Sequence, residues 1–178
     1  MKFSKLGLLN KSQKGMTMLE LLMAFAVTGI ITGGITATLY QMVIGSARTN
    51  NHMMAVKQVQ NAGYWVSRDS QAAQSVVVAE GEDTGFPFTL TWTAWDDTVN
   101  TVTYTLDGTE LWRDDGVQQS AVAQFVDVDP TKTSCAFADT NGDTLKDTVI
   151  FRVTVSIGSS LQQETETREY RIVPRPLW

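Results

Sequence analysis

The hydrophobic pattern of the chain changes period twice. From Leu21 to Ile44 an apolar segment of 24 residues contains no charged side chain, and the uncharged stretch continues to Ala47. That length is near the ~20 residues a helix needs to cross a bilayer. Past Gly45, the segment from Ala47 to Ser75 is polar on average. Within it Met54, Val59, Ala62, Val66 and Ala73 recur at a spacing of three to four, with Met53 and Trp65 beside them. This is the signature of an amphipathic helix that buries one face. Together the two segments predict one helix beginning near Met16 and running for about sixty residues, a rod of roughly 90 Å at 1.5 Å per residue.

After Ser75 the period becomes two. Phe86, Phe88, Leu90 and Trp92 alternate with Pro87, Thr89, Thr91 and Thr93, and Val102, Tyr104 and Leu106 alternate with threonines. Val149, Phe151, Val153, Val155 and Ile157 repeat the pattern, and Tyr170 with Ile172 carries a weaker form. Half-buried antiparallel strands alternate in this way, with the threonine-rich face toward solvent. Turn signals fall between the runs at Asp96-Asp97, Asp107-Gly108, Asp115-Gly116, Asn141-Gly142 and Gly158-Ser159-Ser160. Asp107-Gly108, between Leu106 and Leu111, is the strongest hairpin signal. The expected fold is α+β: a long N-terminal helix, half transmembrane and half amphipathic, packed on an antiparallel sheet of about six strands.

One carboxylate stands at the head of the apolar segment, in the run Lys14-Gly15-Met16-Thr17-Met18-Leu19-Glu20. A charge at membrane depth costs at least about 2.5–3.5 kcal/mol on insertion scales and marks a functional position with a partner. If the chain is cut between Gly15 and Met16, an α-amine with an ordinary pKa of about 7.7–8.0 is exposed and is largely protonated at neutral pH. In a bundle of parallel copies displaced along their axes, that amine reaches Glu20 of a neighbour. The simpler alternative is a helix N-terminus carrying an acid that compensates the dipole.

Residues 11 to 45, KSQKGMTMLELLMAFAVTGIITGGITATLYQMVIG, resemble the signal sequence of type IV prepilins and type II secretion pseudopilins. That family pattern is a short basic leader ending in Gly, a hydrophobic residue after the cut, Thr, Glu as fifth residue of the cleaved chain, and an apolar helix. Lys14, Gly15, Thr17, Leu19, Glu20, Leu21 and Leu22 fit it, while Met16 stands where the family usually has Phe. The resemblance covers about a quarter of the chain. It implies cleavage between Gly15 and Met16 by a prepilin peptidase and N-methylation of Met16. It also implies extraction by an assembly ATPase with an inner-membrane platform, and ordering of the fibre through Glu20 beside Thr17. A looser similarity, VTYTLDGTELWR over residues 102 to 113 with Val126 to Val128 and Val173-Pro174-Arg175, points toward minor pseudopilins of the J type. Gly29, Gly33 and Gly34 are assembly candidates. Gly29 and Gly33 form a small-xxx-small pair that lets helices approach, and Gly33-Gly34 lowers helix propensity by about 1 kcal/mol per residue. The competing explanation is the ordinary glycine content of membrane helices.

Charge is distributed asymmetrically. Lys2, Lys5, Lys11 and Lys14 precede any acid, whereas Val76 to Trp178 holds seventeen acids against seven basic residues. The positive-inside rule keeps the leader cytoplasmic and exports the acidic body. A conventional secretory signal has an apolar core of only about 7–15 residues and is removed whole, so the longer segment reads as a retained anchor. The expected organisation is a cleaved leader over 1–15, a transmembrane and polymerisation helix over 16–45, an amphipathic helix over 46–75 and an exported β-rich domain over 76–178. Cys135 is the only cysteine, which excludes an internal disulfide and predicts a buried thiol.

Other chemistry is sparse. Asp139, Asn141, Asp143 and Asp147 place oxygen ligands about a glycine turn, as Ca²⁺ requires with about six to eight oxygens at about 2.3–2.6 Å. The order is not that of an EF-hand, and an acidic turn before a strand explains it equally. The family resemblance adds that some relatives bind calcium in C-terminal loops. No other cofactor is expected. His52 is the only histidine, and no Ser-His-Asp set, zinc spacing or phosphate loop assembles around it, which argues against an enzyme. Arg168, Arg171 and Arg175 alternate with acids, unlike a nucleic-acid surface. Of the five tryptophans, Trp65 and Trp92 fall in apolar register and are expected in the core. Trp95, Trp112 and Trp178 are candidates for subunit contacts or a ligand platform.

The reading that joins these features is a minor pilin or pseudopilin, partnered by other pilin subunits, the peptidase and the assembly platform. The alternative from another class is a non-polymerising, single-pass anchored binding module displayed outside the cell, calcium-dependent if the acidic loop binds metal.

Overall fold

The computed structural model describes residues 15–79, 84–140, 142 and 145–175. One α-helix, α1 (Met18–Ala72), is followed among the described residues by eight strands. These are β1 (Ser75–Val78), β2 (Phe88–Thr93), β3 (Val99–Asp107), β4 (Glu110–Asp114), β5 (Gln119–Ala123), β6 (Ser134–Ala138), β7 (Thr148–Ile157) and β8 (Glu164–Ile172). The architecture is α+β. The chain divides into two compact units, Met1–Val43 and Ile44–Trp178.

The first unit, where described, is the apolar part of α1. Nothing in its most apolar stretch is buried, and by length and composition the helix is sufficient to cross a membrane. Leu21, Phe25, Ile30, Ile35 and Leu39 all face outward. Water would penalise this surface heavily, since each fully exposed large apolar side chain forgoes about 1.5–3 kcal/mol of burial. The surface is therefore built to meet lipid or other helices.

In the second unit, α1 buries Ala55, Val59, Ala62 and Val66 along one stripe, with Ala73 just past its end. Small and β-branched residues there let the sheets approach closely. Met54, expected on this stripe, is 39% exposed, and Ala55 takes the inward position. A one-residue rotation of about 100° separates the two faces, so the smaller side chain is the one the close approach admits.

The strands form two antiparallel sheets, β1-β2-β3-β4-β5 and β6-β7-β8, where the alternation alone predicts about six strands in one sheet. The strands without a period-two signal are β1, β4, β5 and β6, which are only four or five residues long, and of these only β4 was implied, by the Asp107-Gly108 turn. The helix also stops at Ala72, short of Ser75, because Gln74 N–H donates to Thr91 O at 2.9 Å and the chain turns directly into β1. Bridges Thr84↔Ala136 and Val126↔Val155 couple the two sheets.

The predicted β3–β4 hairpin forms, with Leu106 opposite Leu111 and Asp107 opposite Glu110. Gly108 takes the positive φ of 53° that the two-residue turn requires. In the core Phe88 lies directly opposite Tyr104, their rings stacked at 4.7 Å between centroids. Such a pair contributes about 0.5–1.5 kcal/mol beyond the area it buries. Phe88 also approaches Phe151 across the sheets at 6.3 Å. Cys135, fully buried, faces Phe151 on β7. The expected solvent face of β7 is broken at Thr154, which is buried and exchanges hydrogen bonds with Thr133, Thr167 and the carbonyl of Lys132.

Candidate functional site

The head of α1 is built by a reciprocal cap. Thr17, the residue before the helix, accepts a hydrogen bond at its Oγ1 from the backbone N–H of Glu20 at 3.3 Å. Glu20 Oε2 in turn accepts from the backbone N–H and the hydroxyl of Thr17, each at 3.1 Å. Thr-x-x-Glu at a helix start is the capping box, which satisfies two otherwise orphaned donors. The spacing Thr17-Met18-Leu19-Glu20 carries its signal, which the reading of Glu20 by charge alone did not use. Glu20 therefore has a local role in holding the helix start.

Both bonds to Glu20 use Oε2, and no described residue donates to Oε1. One carboxylate oxygen holds the helix start while the other stays open to a second donor. Gly15 and Met16 precede the cap as exposed, non-helical backbone. A cut between them leaves Thr17 N–H an ordinary amide, so the cap survives and the new amine sits one residue before it.

Further along, a Cβ added to Gly29, Gly33, Gly34 or Gly45 would meet nothing within 4 Å. Packing within the subunit therefore does not require these glycines. A shallow groove runs over Gly29, Gly33 and Ala37 between Phe25 and Tyr40. Thr36 and Thr38 donate to the carbonyls of Thr32 and Gly34, both at 2.9 Å, which satisfies their hydroxyls without solvent.

Residues 10–36 match the family model of the prokaryotic N-terminal methylation motif. The chain carries a type IV pilin-like signal. No curated protein and no solved structure matches the chain. That signal and the exposed apolar helix fit a pilin-like, membrane-anchored subunit, and the signal implies assembly with other pilin subunits and processing by a prepilin peptidase.

The acidic loop is described in part: Asn141 and Asp143 lie outside the described residues, as do Trp178 and the leader to Lys14. Asp139 Oδ1 accepts from Gly142 N–H at 2.7 Å. Asp147 Oδ1 accepts from the hydroxyl of Thr148 at 2.8 Å and from the N–H and hydroxyl of Thr140, both at 3.0 Å, which together hold its carboxyl below the usual range. Among the described residues no three potential ligands converge on one point. His52 lies exposed on α1.

A polar cluster that strand and helix periodicity did not reveal fastens α1 to the first sheet. Asp69, only 3% exposed, accepts from Tyr104 Oη at 2.6 Å and from Arg113 Nε at 2.7 Å. Arg113 also donates to Asp115 at 2.9 Å and lies over the Trp65 ring at 4.8 Å. Trp65, expected in the core, packs against it half-buried, with two cations, Arg113 and Arg68, over its ring. Burial and the Asp69 charge push the Tyr104 hydroxyl far above its usual range. Burial opposes the charge on Arg113, but hydrogen bonds to Asp69 and Asp115 more than offset it and raise its pKa. The available sequence signal was Asp69 itself, an acid three residues past Val66 and four before Ala73 in the apolar register.

Proposed function

We propose that the chain is a minor pilin or pseudopilin, cut after Gly15, N-methylated at Met16 and assembled into a fibre through α1. The observation that carries this reading is the cap at Thr17 and Glu20, which spends one carboxylate oxygen on the helix and leaves the other open. A neighbour's terminal ammonium, delivered by axial displacement of parallel copies, supplies the charge that makes Glu20 tolerable in an apolar bundle. Charge-assisted pairing of this kind also sets register, because a shifted neighbour would leave the carboxylate unpaired in a low-dielectric setting.

The exposed glycines support the same reading. They keep one face of the apolar helix low enough for a second helix to lie against it. Calcium at the loop containing Asp139 and Asp147 is a separate proposal. It would rigidify that loop and would not drive polymerisation.

Intact-mass measurement of protein purified from native membranes tests the central claim. The expected species lacks residues 1–15 and carries one extra methyl group on Met16. An uncut chain would overturn the polymer reading in favour of an anchored, non-polymerising module.

A further inference from the structure

The second unit carries two exposed surfaces of opposite charge, each with unpaired ions and exposed apolar groups. On α1, Met53, Lys57, Gln60, Tyr64 and Arg68 form a stripe at three-to-four spacing, directed away from the buried stripe. Lys57 and Arg68 make no ion pair with any described residue, and no acid lies on this face. Asp69, the only acid of this helical segment, is turned inward to Arg113.

The opposite charge lies at one end of the first sheet. Thr93 pairs with Val99, and Asp114 pairs with Gln119, so the β2–β3 and β4–β5 turns project from the same edge. Their tips hold Trp95 and Val117, 97% and 96% exposed. Beside them stand Asp96, Asp97 and Asp114, none of which has a cationic partner among the described residues. From 84 to 123 there are six acids and one base, Arg113, already occupied by Asp69 and Asp115. Burial of Trp95 and Val117 would favour contact, and the acids beside them, without a cationic partner among the described residues, give that contact a negative rim.

From this complementarity we propose that the outer face of α1 binds the acidic hairpin end of a second copy of the chain. This rests on the proposed function and specifies a second subunit contact, distinct from the apolar helix. The two surfaces differ, so the contact is heterologous and propagates instead of closing as a dimer. Lys57 and Arg68 are eleven residues apart, about 16 Å of helix rise, and the two turns are two strand spacings apart, about 10 Å, so the stripe is long enough to receive both. Trp95 then meets a cation face-on, and Val117 meets Met53 or Tyr64.

Full-length chain, in its native membrane with the assembly machinery present, provides the test. In a Cys135→Ala background, Gln60→Cys and Val117→Cys introduced together should give, on mild oxidation, a ladder of disulfide-linked multimers of this chain. Either cysteine alone should not. Lys57→Glu with Arg68→Glu should weaken the ladder by about tenfold or more, and adding Asp96→Lys with Asp97→Lys should restore it. Intact mass is read on the same samples. Processed chain without a ladder, or with cysteines captured by a different protein, overturns this contact and leaves the polymer reading standing. Uncut chain without a ladder removes both, whereas uncut chain with a ladder keeps the contact and removes the polymer reading.

Discussion

Gly63 on α1 and Tyr170 on β8 occupy a single space: a Cβ at residue 63 would run into the Tyr170 ring. The ring lies across the helix and its hydroxyl donates to the Val59 carbonyl at 3.0 Å. Gly63→Ala should therefore destabilise the protein by about 1–3 kcal/mol, the usual cost of overpacking, despite the better helix propensity of alanine. Tyr170→Phe, which keeps the ring and loses one hydrogen bond, should cost about 1 kcal/mol. Urea unfolding of detergent-solubilised chain gives both values. A stabilising Gly63→Ala would contradict the close approach.

Asp69 and Arg113 should behave as a unit. Asp69→Ala leaves the Tyr104 hydroxyl without its acceptor and Arg113 with only Asp115, so it should cost about 1–3 kcal/mol. Asp69→Ala combined with Arg113→Met should cost clearly less than the sum of the two single changes. Additive losses in a double-mutant cycle would show that the pair is not coupled.

The two roles of Glu20 can be separated. Glu20→Gln retains an acceptor for Thr17 and removes the charge, whereas Thr17→Ala removes the cap and costs about 1 kcal/mol of helix-start stability. Helix content in micelles should be nearly unchanged in Glu20→Gln, while its incorporation into fibres should be lost. Normal incorporation of Glu20→Gln would mean that charge is not what assembly requires.

Acid should remove the contribution of Asp115 to the β4–β5 turn only well below the ordinary carboxylate range. Asp115 accepts from the N–H groups of Gln118 and Val117 and from Arg113, which lowers its pKa from 3.8 to about 2. A depressed folded pKa stabilises fully above the unfolded value, and this contribution disappears as pH falls through the folded value. Stability should thus decline between pH 3.8 and about 2 through this group. The decline should be shallower in Asp115→Asn, measured by thermal unfolding across that range.

Cys135 should resist alkylation in the folded protein. Its thiol is fully buried and burial pushes its pKa up to about 12, so little thiolate exists near neutrality. Modification should require denaturant, as mass spectrometry with and without urea would show. Rapid labelling of the native chain would contradict its placement against Phe151.

Much of the fold was legible because its longest elements carry strong periodic signals. The apolar run, the amphipathic stripe and the alternation in β2, β3 and β7 each extend over several repeats, and Asp107-Gly108 names its own hairpin. The short strands β1, β5 and β6 gave no such signal, because four or five residues hold barely two alternations. They exist because neighbours offer unpaired backbone groups, as Phe88 to Thr91 do for β1. The division into two sheets was hidden for the same reason.

The sequence by itself determined the character of the head of the chain: lysines ahead of any acid, the methylation motif over residues 10–36, and an uncharged apolar helix behind Glu20. These are local features, set by residue type and spacing along one helix, and they need no distant partner to be recognised. Only the tertiary structure decided that Asp69 meets Tyr104 and Arg113, that Tyr170 fills the notch at Gly63, and that Trp65 lies beneath two cations. Those contacts join residues far apart in the chain, and their strength comes from burial and geometry that exist only once the helix and both sheets have packed.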